Sequence, residues 1–406
     1  MLRLIQFTTF VALSAMMSPV LSAQTLTTLY NFNGTDGGYP VAALVQSREG
    51  DLYGTTGQGG ANQEGTVFKI TTNGALTTLH SFCAQSHCTD GAGPLGGVIQ
   101  ATDGNFYGTT FLFGANAGIY LRGGTVFKIT AGGKLTTLYS FCAQSNCTDG
   151  NEPAAGLVQA ADGDFYGTTY SGGAYDGGTV FKITPSGELT TIYSFCALSE
   201  CADGKWPAAA LIQAKSGELY GTTTYGGVYG GESTGGTVFK IDKGVLTTVY
   251  SFCAAIYCLD GANPYGLVQA SNGDFYGTTA YGGDTNEGVV FRLTGSGEFT
   301  DLFNFCVGCE GSVVPEAPLI QASDGNLYGT TSGGTVHGGA VFMMTLKGKF
   351  SALDLCSGGQ CPNGQVPFAA LVEASNGELY GAASTGGTSK DGTIFTLSLG
   401  LDPLME

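Results

Sequence analysis

Twelve cysteines fall into six close pairs, Cys83/Cys88, Cys142/Cys147, Cys196/Cys201, Cys253/Cys258, Cys306/Cys309 and Cys356/Cys361, and no other residues have spacings so suited to chemistry. In an exported chain an even count at short spacings reads as disulfides. Zinc needs four ligands converging on one point, whereas each pair stands alone in its own stretch of chain, so six bridges and no metal are expected. Each closes a very short loop and contributes only about 2 kcal/mol in the chain-entropy model, so fixing loop shape is its main effect. The three histidines, His80, His87 and His337, are far apart, and no Ser-His-Asp set or histidine metal cluster follows from their spacing. Asp36, Asp90, Asp149, Asp203 and Asp260 recur in the frame Asp-Gly-x-x-Pro, with Gly311 and Asn363 as departures. As a ring these carboxylates offer oxygen ligands to calcium, but Asp more simply caps its own turn by accepting backbone N–H groups. No cofactor is therefore expected, with Ca2+ as the alternative. Acids that break the repeat are Glu152, Asp176, Glu232, Asp284, Glu316 and Glu373. Two carboxylates roughly 5 to 10 Å apart suffice for glycoside cleavage, which keeps a carbohydrate-active glycoside hydrolase or lyase as the alternative reading, with no catalytic residue assigned.

What positions these residues is a repeat. Tyr-Gly-Thr-Thr begins at Tyr53, Tyr107, Tyr166, Tyr220, Tyr276 and Tyr328, and Tyr380 opens a seventh copy reading Tyr-Gly-Ala-Ala, at intervals of 54, 59, 54, 56, 52 and 52 residues. Such a period marks one supersecondary unit stacked on copies of itself. The third copy holds Leu157-Val-Gln-Ala160, the turn Asp162-Gly163, Phe165-Tyr-Gly-Thr-Thr169, then Gly178-Thr-Val-Phe-Lys-Ile183, the turn Pro185-Ser-Gly187, and Leu189-Thr-Thr-Ile-Tyr-Ser-Phe195. These are four β-rich runs separated by tight-turn chemistry, with no helical periodicity. Four-stranded antiparallel sheets repeated radially predict an all-β, seven-bladed propeller. Its closure is legible at the ends. The chain opens on an unaccompanied fourth strand, 26–32, and finishes on a third strand, 392–398, so the N-terminal strand is expected to complete the C-terminal blade.

The runs Leu-Val-Gln-Ala, Asp-Gly-Asp-Phe-Tyr-Gly-Thr-Thr, Gly-Gly-Thr-Val-Phe-Lys-Ile and Leu-Thr-Thr-Leu-Tyr-Ser-Phe resemble the GloVer tandem repeat of the choice-of-anchor exported bacterial proteins. The resemblance covers essentially all of the chain beyond its first residues. It implies a secreted, propeller-like repeat protein and transfers no catalytic residue. Members often end in a surface-sorting signal, which 399–406 does not resemble.

Residues 1–23 combine Arg3, an apolar run from Phe7 to Met17 and the small residues Ser22 and Ala23, the layout of a signal peptide. A single domain over 24–406, secreted to the extracellular space or periplasm and monomeric, is the expectation. No run approaches the ~20 apolar residues of a membrane span. The formal net charge of -17 repels phosphate backbones, which excludes nucleic acid as a favoured partner.

The two faces of such a ring should differ. The Asp-Gly and Ser-Gly hairpins on one side are short and uniform, whereas the opposite side carries the cysteine pairs and loops of varied length. There the residue before the frame proline changes around the ring, as Tyr39, Gly93, Glu152, Trp206, Asn263, Val314 and Val366. Aromatic residues crowd the same loops: Phe111, Phe113, Tyr120, Tyr170, Tyr175, Tyr225, Tyr229, Tyr257, Tyr265 and Tyr281. Flat rings with polar edges suit sugars and extended peptides. A binding scaffold for a glycan or extracellular polypeptide is therefore expected, with Tyr39, Glu152, Trp206, Asn263, Phe111, Phe113, Tyr120, Tyr175 and Tyr229 as candidate contacts. The glutamines Gln46, Gln100, Gln159, Gln213, Gln269 and Gln321, with Glu373 in the seventh place, are read as framework hydrogen-bonded to neighbouring backbone.

Overall fold

The computed structural model describes residues 24–399 apart from 119–121, 232, 308–312, 334–337 and 357–359. The expected signal segment, Tyr120, Glu232, Cys309 and His337 therefore lie outside the described residues. Among the described residues, twenty-eight strands form seven four-stranded antiparallel sheets, and no α-helix occurs. Blade 1 comprises Val45–Gln46, Leu52–Thr56, Thr66–Ile70 and Leu76–Ser81 from axis to rim. Blade 7 takes Val372–Glu373, Glu378–Ala383 and Thr393–Ser398 from the end of the chain and its outer strand, Thr25–Asn31, from the beginning. Those last two strands pair from Thr25↔Ser398 to Asn31↔Thr393, the one-plus-three closure that the sequence predicts.

Each residue of the repeat motif has a separate task. Gly167 lies opposite Phe181 in the adjacent strand, and a Cβ there would stand 2.6 Å from the Phe181 ring and 2.8 Å from Leu157. Glycine thus makes room for the phenylalanine that fills the middle of the blade. That ring also receives a neighbour, because the Phe ending one blade meets the third-strand Phe of the next edge-on. Phe82–Phe127 and Phe141–Phe181 do so with centroids 5.2 Å apart, the geometry their quadrupoles favour. Tyr53 stacks on Phe106 at 3.9 Å and Tyr107 on Phe165 at 4.1 Å, again across a blade boundary.

The first threonine of the motif reaches the inner segment of the following blade. Thr55 donates to the Gly96 carbonyl at 3.1 Å, Thr109 to Ala155 at 2.8 Å, Thr278 to Ala317 at 3.0 Å and Thr330 to Ala369 at 3.2 Å. The second threonine pairs within its blade, as in Thr56–Thr66 at 2.8 Å. In blade 7 both positions are alanine, Ala382 and Ala383, so that seam lacks the hydroxyl bond. On the opposite face a belt of amides closes the ring. Gln46 accepts the Ser375 N–H at 2.8 Å, Gln100 that of Arg48 and Gln159 that of Thr102, both at 2.9 Å, while each glutamine Nε2 donates to its own hairpin glycine. Glu373 keeps this role through the Ser323 N–H at 2.8 Å and takes the Ser323 hydroxyl besides, since a carboxylate cannot supply the amide donor.

Substituting Gly167 by alanine forces a methyl into the space held by Phe181 and Leu157. A loss of about 1–3 kcal/mol is expected, read as a lower denaturant midpoint with the slope unchanged.

Candidate functional site

The varied face is organised by the disulfide loops. Five bridges are formed among the described residues, Cys83–Cys88, Cys142–Cys147, Cys196–Cys201, Cys253–Cys258 and Cys356–Cys361. The frame aspartates lie under the first four of these loops. Asp149, fully buried, accepts the Tyr139 hydroxyl at 2.8 Å and the backbone N–H groups of Ala143 and Gln144. Asp203 and Asp260 repeat this with Tyr193 and Tyr250, and Asp90 does so with His80 at 3.0 Å. Burial raises the pKa of Tyr139, Tyr193 and Tyr250, and the neighbouring carboxylates add to it; Tyr30, beside Asp36, is pushed up to about 12. These carboxylates are therefore engaged in capping loops, and the described residues hold no group of three or more His, Cys, Asp or Glu arranged for a metal ion.

The residue before the frame proline is a joint between blades. Its backbone is left-handed at every blade, with φ of 57° at Tyr39, 59° at Glu152, 60° at Trp206, 58° at Asn263 and 56° at Val366. The Trp206 N–H donates to Gly177 of the preceding blade while its carbonyl accepts Thr224 N–H of its own, and Glu152 and Val366 do the same with their neighbours. This interaction holds non-glycine residues, even the β-branched Val314 and Val366, in a conformation they rarely adopt.

The expected contacts divide. Asn263 is buried, because pairing in blade 5 extends along the whole of Ala262–Gln269 and encloses it. Trp206 is held from several sides: Tyr170 stacks on it at 5.3 Å, Tyr225 meets it edge-on at 5.2 Å and Lys205 Nζ lies 4.5 Å from the ring centre. Glu152 accepts the Ser171 hydroxyl at 2.7 Å, with Arg122 3.8 Å away. Phe111 and Phe113 are half-buried, whereas Tyr175 and Tyr229 are exposed. Around Tyr175 and Tyr229 most of the exposed large apolar residues fall in one sector, Leu198, Val228, Ile256, Tyr257, Leu259, Tyr281 and Val307 on the varied face of blades 3–5 and the loop that follows, whereas Val245 stands on a hairpin of the opposite face. Tyr257 is 90% exposed and Ile256 77%. Of the acids that break the repeat, Asp176 caps Gly172, Asp284 is exposed near Asp301, and Glu373 belongs to the amide belt at the far end of the axis. Glu152, Asp176, Asp284 and Glu316 thus stand on the varied face and Glu373 on the opposite one.

The axis itself holds what the loop-centred reading missed. A cavity of about 530 Å3 runs along it, bordered by a segment of every blade. In these segments alternate residues stay half-buried, which sets up levels. At the rim stand Val41, Leu95, Ala154, Ala208, Tyr265, Glu316 and Phe368; below them come Ala43, Gly97, Gly156, Ala210, Pro318 and Ala370. A valine or isoleucine follows in all seven blades, with Val45 and Ile99 lining the cavity. The signal was present as period-2 alternation after each frame proline, the rim position being the residue just after that proline. Burial raises the pKa of Glu316, opposed by the Ser332 hydroxyl donating at 2.8 Å. Tyr265 is raised too, first by burial and then by the Glu316 charge.

Fold and site define a seven-bladed β-propeller of tandem repeats with disulfide-stapled loops on one face. The chain belongs to the Gloeobacter/Verrucomicrobia repeat family, whose model matches residues 16–146, 84–258 and 228–401. No curated protein matches the sequence significantly. Among solved structures, an inactive variant of virginiamycin B lyase from Staphylococcus aureus with quinupristin is similar at 13% identity and a TM-score of 0.59, over 92% of this chain and 99% of that one. A streptogramin B lyase is similar at 12% identity and 0.58, over 92% and 97%. The extracellular domain of a protein assigned as a hybrid two-component system from B. thetaiotaomicron is similar at 12% identity and 0.60, over 92% of this chain and 42% of that one. At these identities the likeness is one of fold.

The Asp90 carboxyl is held below the usual carboxylate range: burial works to raise it, and His80 with the Ala84 and Gln85 N–H groups outweighs burial. A depressed carboxylate stabilises the fold above its unfolded pKa and ceases to do so as pH falls through its folded one. Asp90→Ala is expected to cost about 2–3 kcal/mol at pH 7, by leaving buried donors unpaired. Melting curves of the two proteins should converge as pH drops below the normal aspartate range.

Proposed function

We propose that the chain is an exported interaction scaffold that binds an extracellular polypeptide through the varied face of blades 3–5. The observation that carries this is the concentration of exposed apolar side chains there: Tyr175, Leu198, Val228, Tyr229, Ile256, Tyr257 and Val307. Soluble proteins seldom leave such groups together without a partner. Aliphatic Leu198, Val228, Ile256 and Val307 give a sugar ring nothing to stack on, whereas mixed aromatic and aliphatic groups suit peptide side chains. Exposed Asp176, Glu200 and Asp284 border the patch and favour a ligand with basic residues at its edge. Export is supported by the disulfides, which persist in oxidising compartments. No helix of the described residues is long and apolar enough to cross a membrane.

A glycan is the second reading, supported by the half-buried Tyr170–Trp206–Tyr225 cluster beside the axis. Peptide and glycan arrays probed with the protein, with product analysis of the same samples, separate the readings. Peptides retained by wild type and lost at least ~10-fold in Tyr229→Ser/Tyr257→Ser, with no change in melting temperature, are the expected result. Retention of glycans alone, sensitive to Trp206→Ala, would transfer the function to the inner cluster, and released products would make it an enzyme.

A further inference from the structure

The axial cavity lies inside the exposed sector and takes no part in the reading above. Its walls are apolar below the rim, with a waist of alanine and glycine above valine and isoleucine, while the rim mixes Val41 and Leu95 with Tyr39, Tyr265 and Glu316. The small waist residues create the volume, which falls within the roughly 300–1,000 Å3 of small-molecule sites. One charged side chain borders this space, Glu316 on blade 6. Among the described residues its one hydrogen bond comes from Ser332, and no cation forms an ion pair with it. At the same rim position stand Tyr265 on blade 5, whose hydroxyl feels the Glu316 charge, and Phe368 on blade 7, so Glu316 is flanked on the two neighbouring blades by positions that hold aromatic residues.

We propose that the axial cavity is a binding site for an organic ammonium ion with an apolar tail, the head at Glu316 between Tyr265 and Phe368 and the tail in the Ala/Gly waist. A half-buried carboxylate that meets no counter-ion among the described residues is costly to keep charged, and a cation brought by a ligand removes that cost. Aromatic side chains beside it attract the same cation through their faces, and a quaternary ammonium is the kind least penalised for leaving water. The waist offers a tail no hydrogen-bonding side chain, which selects against sugars and peptides at this depth. No anion fits the rim, where its charge would oppose Glu316.

Calorimetric titration of the folded full chain with octyltrimethylammonium tests this, with octanoate and octanol as the anionic and neutral probes of equal tail and tetramethylammonium as the head alone. The expected result is saturable binding of octyltrimethylammonium at least ~10-fold tighter than that of each other probe. Glu316→Gln, which keeps the Ser332 contact and the fold, should weaken it at least ~10-fold and leave octanol unchanged. Ala210→Leu fills the waist and should weaken the tailed cation while sparing tetramethylammonium. Equal binding of octanoate, an undiminished affinity in Glu316→Gln, or no saturation by octyltrimethylammonium at millimolar concentration would overturn the proposal. Because Tyr229 and Tyr257 lie outside the cavity, Tyr229→Ser/Tyr257→Ser should bind the ammonium as wild type does, which keeps failure here distinct from failure of the polypeptide reading.

Discussion

Each blade of this ring satisfies part of the backbone of the next, and the rest of the structure follows from that. The hydroxyl of Thr109 reaching the Ala155 carbonyl, and its equivalents, draw the inner segments toward the preceding blade rather than their own second strand. Regular pairing of the inner strand is limited to two residues, as in Ile99–Gln100 and Val158–Gln159, and it is equally short at Val45–Gln46, where blade 7 offers no hydroxyl. Blade 5 shows the dependence by exception. Its inner segment is one residue shorter, so Thr222 there accepts the Gly266 N–H instead of donating to a carbonyl, and an eight-residue strand, Ala262–Gln269, results. Buried polar backbone must find a partner, and the geometry of the axis is set by where that partner lies.

Much of the fold was legible because repetition converts alignment into topology. The seven motif copies, the orphan strand at 26–32 and the hairpin turns define blade number and closure without reference to side-chain contacts. The site was less legible, for a physical reason. Sequence variation at Trp206 or Asn263 looks like a changing recognition surface, yet a left-handed backbone there joins two blades, and the side chains settle into whatever the neighbouring loops provide. Trp206 is packed among three residues and Asn263 is enclosed, whereas Tyr175 and Tyr229 do project into solvent. Glu316 was noticed only as an acid that breaks the pattern, since its place at the rim depends on the pitch of inner segments that pair with the wrong neighbour by the rules of an isolated sheet.

Framework and variation are therefore separated in space. Phe, first-Thr and Gln positions recur around the ring because each serves a seam, and the motif Gly recurs because it makes room for the Phe inside its own blade. Freedom remains at loop tips and at the rim of the axis, where exposed side chains carry no structural duty. In blades 3–5 that freedom yields an apolar outer patch, and in blades 5–7 it sets a carboxylate at the rim position that Tyr265 and Phe368 hold on the neighbouring blades.

The composite blade has a consequence for how the molecule comes into being. Thr25–Asn31 is made before the other strands of the ring and is the last of them to find its partner, Thr393–Ser398, which lies at the far end of the seven repeats. Until then six blades form an open arc with an unpaired strand at its start, and the loop to be closed is the longest the chain offers. The seam from this blade to the first also lacks the hydroxyl bond made at other seams, because Ala382 stands where the first motif threonine would be. The ring is thus a clasp whose two halves meet only once 393–398 has been made, so removal of either strand unfastens the same blade.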